Sequence, residues 1–244
     1  MNIVAIVEAR MTSSRLPGKV LLEVLEVPML GRLINRLKQV QVIDQIVIAT
    51  TTNSEDDKIC TVASNYGVRH YRGSENDVMS RVLEAGLEAQ ADVIVEITGD
   101  CPIIDPNIIK DVIEHFLDGN YNYVSNSNLR SYPDGMDVQV FSIETLIDSF
   151  NSTSDELHRE HVTLHIRQNP EKYRLLDILA KKEFEFPELG LTLDTKEDLL
   201  LIEKIITHLE PRDFYFGLPE ILNLLETFPE MKELNKDVIR KGDT

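Results

Sequence analysis

The sequence predicts an α/β fold in which a mostly parallel central sheet is flanked by helices. Three observations predict it. Short apolar, β-branched runs alternate with stretches of helical periodicity, the order produced by parallel strands joined through crossover helices. A length of 244 residues with 42% hydrophobic side chains suffices for one large core. No internal repeat or low-complexity segment divides the chain into an array.

Residues 3–7 form the first buried strand, and a loop rich in Ser, Arg, Pro and Gly covers 9–19. Pro28 suits the first turn of a helix, whose inner face is Leu30, Leu33, Ile34 and Leu37. Residues 46–50 are a second strand. A helix over 55–66 stops at Gly67, a C-cap residue, before a short strand at 68–71. Ser74 or Asn76 opens a helix through about Gln90, and 92–98 is a further strand. Asp105-Pro106 starts a helix that turns Ile109, Val112, Ile113 and Phe116 inward. Strands at 121–125 and 138–141 flank a polar insert at 126–137. A helix spans 154–168, closed by Asn169-Pro170. Residues 191–194 make a last short strand. Thr195 with Asp198 resembles a capping box for a helix through His208, and the chain after Pro211 is expected to be helical and peripheral.

The net charge of −17 argues against nucleic acid or an anionic membrane as partner. Residues 1–38 nevertheless carry +3, from Arg10, Arg15, Lys19, Arg32, Arg36 and Lys38 against Glu8, Glu23 and Glu26. A basic N-terminal stretch in an acidic chain points to a small anionic ligand. No apolar run approaches the ~20 residues of a membrane span. The opening seven residues are too short for a secretory signal before Glu8 and Arg10, so a cytoplasmic location is expected. Cys60 and Cys101 lack any metal or redox spacing and read as reduced, partly buried thiols. His115, His158, His165 and His208 show no metal-ligand spacing.

The succession of strand, loop and helix around a single sheet points to a Rossmann-like nucleotide-binding architecture, in which ligands sit beyond the carboxyl ends of the strands. That rule brings residues 10–19, 98–102 and Asp194 to one rim. Glu8-Ala9-Arg10-Met11-Thr12-Ser13-Ser14-Arg15-Leu16-Pro17-Gly18-Lys19 offers guanidiniums, an ammonium and hydroxyls after a buried strand, groups that wrap and neutralise phosphate. It has neither the GxxxxGK nor the GxGxxG spacing, and a solvated basic loop is its plainer reading. Thr98-Gly99-Asp100-Cys101-Pro102 ends a strand, where a carboxylate either closes a turn or binds Mg²⁺. Asp194, taken alone, reads as a helix cap. Asp77 and Arg81 are spaced for an i,i+4 ion pair. His161 could be a structural histidine.

The run from Ala9 to Lys19, continued by Val20-Leu21, resembles the signature loop of the cytidylyltransferases that activate acidic sugars, the group of the CMP-sialate and CMP-Kdo synthetases. It is most similar to the branch named for spore-coat polysaccharide biosynthesis, over roughly residues 2–200. The resemblance implies a single-domain, GT-A-like nucleotidyltransferase: a catalytic domain over 1–210 with an insert about 120–165 for acceptor binding or a dimer contact, to which the chain's own pattern adds a helical tail over 211–244. It implies that Ala9, Arg10, Ser13, Ser14, Arg15 and Lys19 contact CTP and that Asn76, Asp77 and Arg81 lie near cytosine and ribose. Arg15, Lys19 and Asp100 would carry the transfer, with Mg²⁺ on Asp100 and Asp194. Asp134, Asp137, Arg159, Glu160 and His161, within the segments 132–138 and 159–163, would line the acceptor site or a dimer contact. The expected partners are CTP and a small anionic acceptor, and the expected assembly is a homodimer. Arg130 or Arg159 would supply a cation for the acceptor. The acceptor half departs from the Kdo and sialate patterns, so neither substrate follows by name. A nucleotide-sugar glycosyltransferase would normally carry an Asp-x-Asp triplet, which the sequence lacks. A non-catalytic nucleotide-binding module would be expected to have lost the metal carboxylates or the phosphate-loop bases, and all are present.

Overall fold

A computed structural model describes residues 1–240 of the chain. In order come β1 (Ile3–Glu8), the hairpin strands β2 (Glu23–Val24) and β3 (Val27–Pro28), α1 (Met29–Leu37), β4 (Gln45–Thr51), α2 (Asp57–Asn65) and β5 (Arg69–Gly73). Then follow α3 (Val78–Glu88), β6 (Val93–Thr98), α4 (Pro106–Asp118), β7 (Tyr123–Ser125), β8 (Gln139–Ser142) and α5 (Ile143–Ser152). The chain closes with α6 (Glu156–Glu160), α7 (Leu164–Arg167), β9 (Leu175–Asp177), α8 (Lys196–Leu209) and α9 (Leu218–Thr227). Among the described residues no helix is long and apolar enough to cross a membrane.

Among the described residues seven strands form one sheet in the order β5-β4-β1-β6-β8-β7-β9, in which β8 alone runs against the rest. The sheet is therefore mostly parallel, as the alternation of apolar runs and helices requires. β1 is the centre: Glu8 stands in register with Ala49 of β4 on one side and Thr98 of β6 on the other. The segments that follow β1 and β6 therefore leave the sheet side by side, on the rim where such folds take ligands.

Side chains alternate between two apolar layers. Ile3, Ala5 and Val7 join α1, α2, α4, α8 and α9 on one face. Val4 and Ile6 join α3, α5 and α7 on the other.

The expectations fail at identifiable places. The helix over 154–168 is two short ones, α6 and α7, because His161 adopts an extended backbone (φ −108, ψ 90). Residues 191–194 form no strand; their amides instead go to Asp134 O from Leu191 and to Asp100 O from Leu193, at 2.7 and 2.8 Å. Helix α3 starts at Val78, later than either expected opening residue, Ser74 or Asn76. The segment after Pro211 is not peripheral: Phe216, Leu218, Ile221 and Leu225 are fully buried in the main core.

Arg32 and Arg36 correct the charge argument. Both are fully buried on α1. Arg32 pairs with Glu210 at 2.9 Å, and Arg36 donates to Ile104 O and Phe216 O. They tie α1 to the C-terminal part of the core and do not reach an outside anion.

Candidate active site

The phosphate-type loop is built by its ends. Gly18 N–H donates to Met11 O at 2.9 Å and closes it. Met11 N–H donates to Asp56, which is fully buried and also takes Thr50 and Thr51 hydroxyls. On the opposite side Thr12 and Arg10 reach Glu75, at 2.5 and 3.6 Å. The loop is thus pinned to β4 and to the residues before α3, and its remaining cations turn inward.

Lys19 Nζ lies 2.6 Å from Asp100 Oδ2 and 2.8 Å from Asp194 Oδ1. Arg15 Nη2 lies 2.7 Å from the other oxygen of Asp194. Three segments far apart in sequence meet at these contacts. Burial works against the Lys19 charge, but the two carboxylates outweigh it and raise the ammonium above its ordinary value. Gly99 is what lets Asp100 stand there, since a Cβ at this position would come within 2.6 Å of Glu8 O.

These residues border a cleft of about 420 Å³ at the rim of the sheet. Ala9, Arg10, Ser13, Ser14, Arg15 and Lys19 line it on the loop side, with Arg81, Asp100 and Asp194 beside them. Asp134, Asp137, Glu160 and His161 also line it, together with Arg130. Two carboxylates already converge on one cation, a donor set of hard oxygens that fits Mg²⁺. Among the described residues no three His, Cys, Asp or Glu side chains converge. A Mg²⁺ ion held by two carboxylates would take the rest of its shell from phosphate oxygens and water, the usual arrangement for this ion.

Three expected residues are not brought together with the cleft. Asn76 is exposed and does not line it. Asp77 is the N-cap of α3, accepting from Ser80 N–H at 2.8 Å. Arg159 pairs with Asp77 at 3.4 Å, donates to Phe150 O and Thr153 O, and stacks 3.7 Å from the centre of the Phe150 ring. Its guanidinium is consumed in fastening α6 to α5 and α3. Of the two arginines expected to meet an acceptor, Arg130 lines the cleft and Arg159 does not. The i,i+4 pairing of Asp77 with Arg81 also does not form, because Arg81 turns toward the carbonyls of Ser74 and Glu75.

Sequence reasoning missed the floor. Glu8 and Glu96 project from neighbouring strands on the same face and share a hydrogen bond. Burial holds Glu8 above the ordinary carboxyl range despite that bond and the nearby Arg81. Gln139 lines the same floor and accepts from the Tyr123 and Thr163 hydroxyls, both at 2.6 Å. A charged residue inside the apolar run Val-Ile-Val-Glu-Ile was the available signal, since a buried carboxyl needs a stated partner.

Within the cleft lining, burial drives the Asp137 carboxyl up to about 7, against the opposing Arg130 and with Asp134 adding to the rise. From the ordinary 3.8 to about 7 the folded chain therefore holds a proton that the unfolded chain has lost. Stability from this group is complete at low pH and is lost as pH rises through that window. Asp137→Asn is expected to flatten the decline of Tm between pH 4.5 and 7.5, relative to the parent. Parallel profiles for the two proteins would exclude the shift.

The family model for cytidylyltransferases matches residues 4–237. The chain is 34% identical to the spore coat polysaccharide biosynthesis protein SpsF of Bacillus subtilis, over 94% of this chain and 96% of that one. It is 32% identical to an uncharacterised protein of Methanocaldococcus jannaschii, over 99% and 98%. Among solved structures, a cytidylyltransferase from Leptospira borgpetersenii superposes with a TM-score of 0.91 at 28% identity, covering 99% of this chain and all of that one. A match over nearly the whole length takes in the loop, both aspartates and the rim they share, and on that ground the chain belongs to the cytidylyltransferase family of nucleotidyltransferases.

Proposed function

We propose that this protein transfers the cytidylyl group of CTP to a small anionic acceptor and releases pyrophosphate. The acceptor is an acidic sugar, or a phosphorylated polyol or acid, on the way to a surface polysaccharide. Family membership supports the donor, and the spore-coat relative supports the destination. The observation that carries the reading is the convergence of Lys19, Arg15, Asp100 and Asp194 at one edge of the cleft.

The reaction needs alignment and charge neutralisation rather than a nucleophile from the protein. An acceptor oxygen bonds to the α-phosphorus as the bond to the β-phosphate oxygen breaks. Arg10, Ser13, Ser14, Arg15 and Lys19 hold the triphosphate, and the two cations oppose the charge that grows on departing pyrophosphate. Asp100 and Asp194 would hold Mg²⁺, which would supply charge neutralisation to the triphosphate. Arg130 offers the acceptor a cation, beside Asp134, Asp137, Glu160 and His161. Arg81 stays at the nucleotide side. We further propose that the protein acts in the cytoplasm as a homodimer.

Pyrophosphate release is the test, run for each nucleoside triphosphate with Mg²⁺ against a panel of sugar acids and phosphorylated polyols. Release with CTP alone, and with one acceptor class, is the expected result. Release indifferent to the nucleotide, or sugar transfer from a nucleotide sugar without pyrophosphate, would overturn the reading.

A further inference from the structure

Asp198 is the hub of an unexpected connection. It is fully buried, and its two oxygens serve different parts of the chain. Oδ2 accepts the backbone N–H groups of Asp194 and Thr195, at 3.1 and 2.9 Å, and the Thr195 hydroxyl at 3.0 Å. Oδ1 accepts from Asn235 Nδ2 and Arg240 Nη2, both at 2.8 Å. The carboxyl is thereby held below its ordinary value: burial opposes this, but the bonds from Arg240 and Asn235 outweigh it.

Residues 235–240 touch the site at three further points. Asn235 Nδ2 also donates to Gly190 O at 2.9 Å. Arg240 Nε approaches Asp134 at 3.7 Å. Ile239 O accepts from Arg15 Nη1 at 3.2 Å, while the same guanidinium reaches Asp194. Gly190 leaves the space that the Arg240 guanidinium fills, since a Cβ there would fall 1.7 Å from Nη2.

We infer that residues 235–240 form a positioning strap for the nucleotide site, in which Arg240 and Asn235 fix Asp198 so that Asp198 fixes the Asp194 turn. Asp198 caps α8 as any capping-box residue would, but a cap needs one carboxyl oxygen. The second oxygen is held by a guanidinium and an amide from the chain's far end. A carboxylate ligand whose own supports are loosened typically loses about 10–100-fold in metal affinity or activity. Arg240, which does not line the cleft, is thus a positioning residue. The inference rests on the role proposed above for Asp194.

The test compares Arg240→Met, Arg240→Lys and Gly190→Ala with the parent, and Lys236→Ala as a control on the same segment. Two quantities are read: hydrogen exchange at the Asp194 and Thr195 amides, and the Mg²⁺ concentration for half-maximal turnover. Arg240→Met and Gly190→Ala are expected to speed exchange at those two amides at least about tenfold while the later turns of α8 keep their protection. They should raise the Mg²⁺ requirement about 10–100-fold, and Arg240→Lys should restore most of both. Unchanged exchange at residues 194 and 195 would overturn the strap, and so would equal acceleration throughout α8. Should the parent release no pyrophosphate with any acceptor, the functional reading falls, while the exchange measurement still decides the strap.

Discussion

Lys19→Met is expected to lower turnover about 10²–10³-fold, the usual consequence of removing one charge-stabilising donor from a transition state. The direction of the accompanying changes makes the result specific. In the ligand-free molecule Lys19 neutralises Asp100 and Asp194 at 2.6 and 2.8 Å. Its loss leaves two carboxylates facing each other, which strengthens their attraction for a divalent ion. Half-saturation by Mg²⁺ should therefore move to the same or a lower concentration even as turnover collapses. Tm should fall by several degrees, because a largely buried cation (8% exposed) no longer balances its partners. Isothermal calorimetry should find CTP binding without metal weakened. Near-parental turnover, or a rising Mg²⁺ requirement, would remove Lys19 from the phosphate side of the site.

Much of this site was legible in the sequence because its parts are local. The loop from Arg10 to Lys19 and the Gly99-Asp100 turn each lie at the end of a recognisable strand, and the rule for parallel sheets puts strand ends on one rim. Periodicity gave the strands through 92–98 and the helices between them. Side-chain direction was not legible. Six bases stand in residues 1–38, yet only Arg10, Arg15 and Lys19 border the cleft. Arg32 and Arg36 carry the same formal charge and are fully buried, because Arg32 finds Glu210 as well as the nearby carbonyls of Val24 and Val27, and Arg36 finds the distant carbonyls of Ile104 and Phe216. Nothing within 38 residues records that. Arg159 is the same lesson in reverse: its neighbours Glu160 and His161 line the cleft, while it stacks on Phe150. The strand β9 was missed for a related reason. At three residues it is too short for any alternation to register, and its pairing partner, β7, lies fifty residues earlier.

Asp194→Asn carries the other large expected effect, and its signs oppose those for Lys19. The substitution keeps the shape of the side chain and leaves the amides of Asp194 and Thr195 free to bond Asp198 as before. What it removes is one charge that serves two cations, Lys19 at 2.8 Å and Arg15 at 2.7 Å. With metal present, loss of one of the two carboxylates proposed to hold it should forfeit several kcal/mol of charge stabilisation, on the order of 10²–10⁴ in turnover. The Mg²⁺ requirement should rise with it. Without metal the balance reverses. Lys19 and Arg15 are released from an internal anion and become available to an external one, so CTP binding in EDTA should strengthen about 3–30-fold, and less at high salt. Asp100→Asn should show the same pattern more weakly, since Asp100 engages Lys19 but not Arg15. A substitution that merely damaged the cleft would weaken CTP binding under both conditions. Tighter nucleotide binding joined to lost turnover is therefore the signature of a carboxylate that holds the metal and restrains the phosphate-binding cations, whereas weaker binding in EDTA would show that Arg15 and Lys19 are not the groups that meet the triphosphate.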